Sequence, residues 1–343
     1  MKRQMLTGNA SAAWGVRLAE VDYIPAFPIT PQTEIIESLS RWICDGEMDA
    51  RFVTVDSEHS MITAAGAASA TGVRVFTATS SQGLLYGFEM LYTVAGWRVP
   101  LVMVNVSRGV SAPITLEADH NDILAARDCG FLQIHCENCQ EVLDSVLMAY
   151  RLAEDERVLL PVFVNMDGFQ LSFTREPVEI PEIENVRRFL PPYQPKHAIF
   201  KASQPMAQGI AVLGGPVYSY FKYQMHLANR KGLDVYKEVS KEFEGVFGRR
   251  YDAVEGYMTD DAEFLLIMTN SFSTLGKAAV KKARERGLKA GLLRLRLIRP
   301  FPDDDIKNAL KGMKAVSVID QNISVGKGGI LYQEIAGAMY NEK

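Results

Sequence analysis

Short apolar runs rich in strand-forming residues recur along the first 170 residues: Tyr23–Phe27, Phe52–Val55, Val73–Thr77, Pro100–Asn105, Phe131–His135 and Pro161–Asn165. Between them lie stretches with helical spacing, at Gln32–Cys44, Ser57–Ala70, Leu84–Ala95 and Glu141–Ala153. In the last, Val142, Leu143, Val146, Leu147 and Tyr150 repeat at the helical period. The strand runs are apolar throughout rather than alternating. This predicts strands buried on both faces, in a parallel sheet covered by helices.

The alternation stops after residue 175. Glu176–Glu182 and Phe189–Pro195 carry five of the 15 prolines, so an extended crossover is expected there, neither sheet nor helix. After Gly214-Gly215-Pro216, a charged amphipathic run from Tyr218 to Phe247 predicts a long helix. Strand-like Phe264–Met268, Ala290–Leu297 and Ala315–Ile319 then alternate with helix-like Ser273–Arg286 and Asp304–Leu310. A glycine-rich Ser324–Gly329 opens a last helix, Ile330–Tyr340. The pattern predicts an α/β domain over residues 1–175, a linker and helical crossover over 176–257, and a smaller α/β domain over 258–343. Two domains also suit 343 residues at about 150 residues per domain.

Composition narrows the classes. The formal net charge of −4 leaves no basic footprint for nucleic acid or an anionic membrane. No run of about 18 apolar residues is present, so no membrane-spanning helix is expected. The start, Met1-Lys2-Arg3-Gln4-Met5, has no signal-peptide core, and a cytoplasmic protein is expected. Four cysteines, Cys44, Cys129, Cys136 and Cys139, are too few for a disulfide scaffold or for two four-cysteine iron–sulfur clusters.

Five segments offer chemistry. In Phe27-Pro28-Ile29-Thr30-Pro31 a strand ends and a helix begins. Thr30 suits an N-cap with Pro31 at the first helical position, or its hydroxyl holds a substrate at the carboxyl end of a strand. In Asp56-Ser57-Glu58-His59, Ser57 suits an N-cap and Glu58 the first helical turn. Behind them lies a helix of almost entirely small residues, which either packs closely on the sheet or holds a carboxylate toward a ligand. Arg108, after a buried strand in a loop with Gly109 and Pro113, is placed for an oxyanion or for a surface ion pair. Glu117, Asp119, His120 and Asp122 crowd six residues, but their spacing matches no strong metal motif, and no metal ligand is assigned. Cys136-Glu137-Asn138-Cys139 has no second cysteine pair, and packing explains it better than zinc or redox chemistry. No phosphate loop, serine elbow or zinc-protease motif occurs, nor a Gly-Asp-Gly with paired asparagines for a Mg²⁺-held diphosphate.

Taken in order, these segments resemble one family closely: the α subunit of the 2-oxoacid:ferredoxin oxidoreductases, nearest the pyruvate:ferredoxin oxidoreductase (pyruvate synthase) branch. The resemblance runs from Thr7-Gly8-Asn9-Ala10 through Phe27–Pro31, Ser57–Ser60, Thr79-Ser80-Ser81-Gln82-Gly83-Leu84, Ser107–Pro113 and Asp119–Asp122. It continues through Phe189-Leu190-Pro191-Pro192-Tyr193 and Leu297–Pro302. It implies a thiamine-diphosphate-binding-fold pyrimidine domain, followed by a smaller transketolase-C-terminal-like domain that ends early, at Lys343. It implies oxidative decarboxylation of pyruvate, or the reverse synthesis, with coenzyme A as co-substrate and ferredoxin as electron acceptor. Another 2-oxoacid (branched-chain, aryl or dicarboxylic) and a non-catalytic scaffold are the alternatives.

By the same resemblance, Glu58 meets the ring nitrogen of the cofactor's pyrimidine. Pro28 and Ile29 line the cofactor, and Thr30 and Arg108 contact the substrate, Arg108 pairing with its carboxylate. Thiamine diphosphate is then shared with a β subunit that carries the diphosphate and Mg²⁺. Iron–sulfur clusters reside in partner chains, among γ and ferredoxin-like δ subunits. The small-residue helix is expected at the subunit interface.

Overall fold

A computed structural model describes residues 2–197 and 199–342. Strand β1 (Lys2–Thr7) leads into α1 (Gly8–Leu18), whose N-cap Thr7 accepts the amide of Ala10. There follow β2 (Tyr23–Ala26), α2 (Thr33–Cys44), β3 (Arg51–Thr54) and α3 (Glu58–Ser69). Next come β4 (Phe76–Thr79), α4 (Ser81–Tyr86), α5 (Phe88–Trp97), β5 (Val102–Ser107) and α6 (Asn121–Ala125). Strand β6 (Leu132–His135), α7 (Cys139–Ala153) and β7 (Val162–Asp167) complete the alternation.

Strands β6, β7, β5 and β4 form a parallel sheet in that order. The parallel pair β2–β3 continues it through a parallel bridge from Tyr23 to Val75. Because these six strands run the same way, their carboxyl ends share one rim. The residues after Ala26, Thr54, Thr79 and Ser107 therefore face one crevice, although about 80 residues of chain separate the first from the last.

The proline-rich region is more regular than its composition predicts. Glu176–Glu182 is not an extended crossover: β8 (Arg175–Ile180) pairs antiparallel with β1, Pro177 opposite Met5. Among the described residues no further strand pairs with this two-stranded ribbon, so the missing proline N–H has a free edge to face. Helix α8 (Ile183–Phe189) follows. Its Phe189 packs edge-on against Phe243, 5.1 Å between centroids, on the long helix α9 (Val217–Phe247). The second half of α9 is buried through Val235, Tyr236, Val239 and Phe243.

Two other expectations shift. The stretch expected as one helix over Leu84–Ala95 is two, α4 and α5, meeting at Gly87. A Cβ there would collide with Ile62 of α3. The strand expected at Val73–Thr77 starts at Phe76. Arg74 is held beforehand, its backbone amide by Asp22 and its buried guanidinium by Glu154 at 2.6 Å.

The C-terminal part builds a second sheet from β9 (Val254–Tyr257), β10 (Phe264–Thr269), β11 (Ala290–Leu295) and a later strand. The single strand expected over Ala290–Leu297 divides. After β11 the chain leaves for β12 (Leu297–Arg299), which pairs antiparallel with β6 of the first sheet. Helix α10 (Ser273–Glu285) joins β10 to β11, and α11 (Asp303–Leu310) leads to β13 (Ala315–Val318) beside β10. Helix α12 (Ile330–Ala338) comes last. One apolar cluster runs from Leu101 and Phe131 of the first part to Leu295, Ile298 and Ile335 of the second, so the two sheets share a core.

Candidate active site

Glu58 is the first residue of α3. Ser57 caps that helix from extended backbone, its Oγ accepting the amide of Ser60 at 3.2 Å, so the expected cap is present. The cap holds Glu58 at the rim, where it is only 4% exposed. No described side chain donates to its carboxyl group. Burial pushes its pKa up, and its own backbone amide opposes this only in part. Helix α4 passes directly over it. A Cβ on Gly83 would collide with both Glu58 Oε1 and the hydroxyl of Thr79, which is itself buried and unpartnered. The result is a dry carboxyl group that favours its protonated form or a hydrogen-bonding partner from outside the chain.

Arg108 follows β5 and is 5% exposed. Nε donates to the carbonyl of Thr30 at 2.8 Å, and Nη1 to Gln82 Oε1 at 3.1 Å and the Gly109 carbonyl at 3.3 Å. These acceptors are neutral, so the surface ion pair open from spacing is not formed among the described residues. Burial lowers the pKa of Arg108, with Asp122 opposing, yet a guanidinium stays charged in such surroundings. Nη2 donates to no described group.

Thr30 does not cap α2. The helix starts at Thr33 behind Gln32, whose side chain turns back to the Phe27 carbonyl at 2.9 Å. Asn9 Nδ2 holds the Pro31 carbonyl at 2.8 Å. With capping done elsewhere, the exposed Thr30 hydroxyl stays free at the rim, on one loop with exposed Pro28 and half-buried Ile29. Glu58 and Arg108 meet through α4: Gln82 touches Arg108, and the next residue, Gly83, covers Glu58.

The acidic stretch after this loop does not converge. His120 Nε2 pairs with Asp167 Oδ1 at 2.6 Å, Asp119 caps the Asn121 amide, and Glu117 is exposed. Buried Asp122 takes the amide of Ser81 at 3.0 Å, Asn105 Nδ2 at 3.2 Å and the amide of Ile123 at 2.7 Å, with Ser107 Oγ at 2.8 Å. It is thus a bolt under the N-terminus of α4. Among the described residues no group of three or more His, Cys, Asp or Glu side chains is placed to hold a metal. Cys136 and Cys139 are buried free thiols with Sγ turned to the carbonyls of Glu141 and Thr174, and burial pushes both pKa values far up. They pack.

The small-residue face of α3 is also used inside the chain: a Cβ on Gly66 would strike Val94 and approach the Trp97 ring of α5. Sequence reasoning did not single out Gln82, nor Asp122 as an anchor, nor Asp167, which accepts the Ser271 amide at 2.9 Å and joins the two sheets. Their partners lie dozens of residues away, so no local pattern marks them.

The parallel sheet carries at its rim a buried carboxyl group under a glycine and, through α4, a half-free guanidinium, and the class is that of the α/β thiamine-diphosphate-binding proteins. The chain belongs to the pyruvate flavodoxin/ferredoxin oxidoreductase family, whose thiamine-diphosphate-binding domain matches residues 14–241. A second match, to the pyruvate:ferredoxin oxidoreductase core domain II, covers residues 262–343.

A pyruvate synthase subunit from Pyrococcus horikoshii is 44% identical over 341 residues, covering 99% of this chain and 86% of that protein. A ketoisovalerate oxidoreductase subunit from Pyrococcus abyssi is 41% identical over 340 residues, covering 99% and 85%. The fold is shared with a solved 2-oxoglutarate:ferredoxin oxidoreductase from Magnetococcus marinus, at TM-score 0.78 and 19% identity. The match covers 99% of this chain and 60% of that one. No described helix is long and apolar enough to cross a membrane.

Proposed function

We propose that this chain is the α subunit of a thiamine-diphosphate-dependent pyruvate:ferredoxin oxidoreductase. Pyruvate and coenzyme A give acetyl-CoA and CO₂, two electrons pass to ferredoxin, and the reverse synthesis uses the same site. The carrying observation is the carboxyl group of Glu58: it is buried, no described side chain donates to it, burial pushes its pKa up, and it lies under Gly83, whose neighbour Gln82 touches Arg108. The residues at the rim fit a pyrimidine. Glu58 would hydrogen-bond its ring nitrogen, the hydroxyl of Thr79 has no partner among the described residues, and the bare Cα of Gly83 leaves room for the Glu58 carboxyl group to sit at the rim. Pro28 and Ile29, on the loop that carries Thr30, would line the same cofactor. When bound, the cofactor supplies the electron sink that lets a 2-oxoacid lose CO₂.

The protein's own part is positioning. Arg108 binds the substrate carboxylate, with Nη2 as its free donor. Thr30 offers its hydroxyl from the neighbouring loop. Glu58 holds a proton at the ring nitrogen in a site that excludes water. A β subunit carries the diphosphate and Mg²⁺, and γ and ferredoxin-like δ subunits carry the iron–sulfur clusters, in a cytoplasmic complex. In the assembled complex, Glu58→Gln abolishes turnover while subunit composition by native gel stays unchanged. Turnover near the wild-type rate overturns the assignment.

The ketoisovalerate relative at 41% identity supports a second reading, the same chemistry on a branched-chain 2-oxoacid. Comparing kcat/KM for pyruvate, 3-methyl-2-oxobutanoate and 2-oxoglutarate on one preparation decides between them.

A further inference from the structure

Gln82 has three polar neighbours, and all belong to the substrate side of the rim. Its Oε1 accepts from Arg108 Nη1 at 3.1 Å and from Ser81 Oγ at 2.7 Å. Its Nε2 donates to the hydroxyl of Ser111, in the irregular loop between Arg108 and Asp119. A guanidinium has only donors, so the carbonyl end of the carboxamide must face Arg108, and the NH₂ end must then face the loop. The side chain has one satisfactory orientation. The backbone beneath it is fixed as well: buried Asp122 holds the Ser81 amide at 3.0 Å, and Ser81 Oγ lies 2.9 Å from the Gly109 carbonyl.

We propose that Gln82 is a positioning residue of the carboxylate site: it fixes the rotamer of Arg108 and ties down the loop that follows it. This rests on the reading of Arg108 as the substrate-carboxylate ligand. With Nε taken by the Thr30 carbonyl and Nη1 by Gln82, Nη2 is the donor left for substrate. The acceptor is neutral, and that matters. A carboxylate at position 82 would reach Arg108 as readily, but it would pair with it and compete with the incoming carboxylate. An amide oxygen orients the guanidinium and leaves its charge uncancelled. The tie to Ser111 gives the same side chain hold of a loop whose Ile114 is 75% exposed and whose backbone is otherwise closed by the Gly109 amide on the Glu117 carbonyl at 3.1 Å.

The test uses the assembled complex with Gln82→Ala, Gln82→Glu and Arg108→Ala. The readouts are KM and kcat for pyruvate, and Ki for oxamate, an unreactive isostere that keeps the carboxylate. In Gln82→Ala, KM and Ki rise together by about tenfold, the loss of one charge-assisted hydrogen bond, while kcat changes by less than about threefold. Gln82→Glu, equal in size, raises both further than alanine does, because it neutralises Arg108. Should the alanine variant not assemble, the glutamate variant carries the test. Wild-type KM and Ki in both Gln82 variants, with Arg108→Ala impaired, overturns the role of Gln82 alone. A fall confined to kcat or to melting temperature also overturns it, since a purely structural residue gives that result. Wild-type KM and Ki in Arg108→Ala instead overturn the underlying reading of Arg108.

Discussion

Replacing Glu141 by glutamine takes one negative charge out of the interior at the seam between the two sheets. Glu141 lies on α7, is 1% exposed, and accepts from Arg294 at 2.8 Å and Arg296 at 2.5 Å through a single oxygen. Both arginines are buried at the end of β11. Glu255 remains to share them, 2.6 Å from Arg296 and 3.3 Å from Arg294. Breaking a buried pair from one side costs about 3–5 kcal/mol, and the help from Glu255 favours the lower figure. With unfolding entropy of about 2.1 cal/mol/K per residue, about 3 kcal/mol lowers Tm by about 4 °C in a unit of this length. Burial raises the pKa of Glu141, but the two guanidiniums overcome this and hold it below the usual carboxylate range. A carboxylate depressed on folding stabilises above its unfolded pKa, about 4.3, and the gain is lost as pH falls through the lower folded value. Scanning fluorimetry of the complex therefore finds the gap between wild type and Glu141→Gln open at pH 7 and closing below pH 4. Equal Tm values at pH 7, or a gap that stays constant into acid, refute the reasoning.

Other expectations follow from single observations. Arg108→Ala raises the KM for pyruvate by about 100-fold, the roughly 3 kcal/mol of a charge-assisted contact in a dry site, with an unchanged KM as the contrary result. Of the four thiols only Cys44 is exposed, and burial pushes Cys129 up to about 12, so a thiol-titrating disulfide reagent counts one fast thiol in the native fold. Four fast thiols would contradict this burial. Burial lowers the pKa of His120, but Asp167 overcomes it and raises it. A raised histidine stabilises fully below about 6.5 and loses this as pH rises through its folded value. The Tm deficit of His120→Asn is therefore largest in mild acid and shrinks in alkali, and a deficit flat from pH 6 to 9 contradicts the pairing. The chain expressed alone binds thiamine diphosphate weakly and shows no iron–sulfur absorbance. Tight binding by calorimetry would contradict a shared site.

Much of the architecture was legible because it is local. Apolar runs of strand length alternating with helical periods announce a parallel sheet with helices on both faces, and Ser57 before Glu58 announces a capped helix. The loops after the strands were marked as the chemical ones for the same reason: in a parallel sheet their ends must share a rim. Pairings over long chain distance were not legible. Proline content argued against strand at Glu176–Glu182, but one antiparallel partner, β1, about 170 residues earlier, makes strand affordable there. Thr30 read as a cap by its neighbours in sequence, whereas Gln32 and Asn9 close that loop in space.

What the sequence by itself determined, then, is the order of elements and the residue types delivered to the rim: Thr30, Glu58 and Arg108. Only the tertiary structure decided that no described side chain donates to Glu58, that Arg108 spends Nε and Nη1 on neutral oxygens, and that Gln82 is one of those neutral partners. Burial and hydrogen-bond satisfaction depend on which segments pack together. That choice is made by the whole core, not by any local run of side chains.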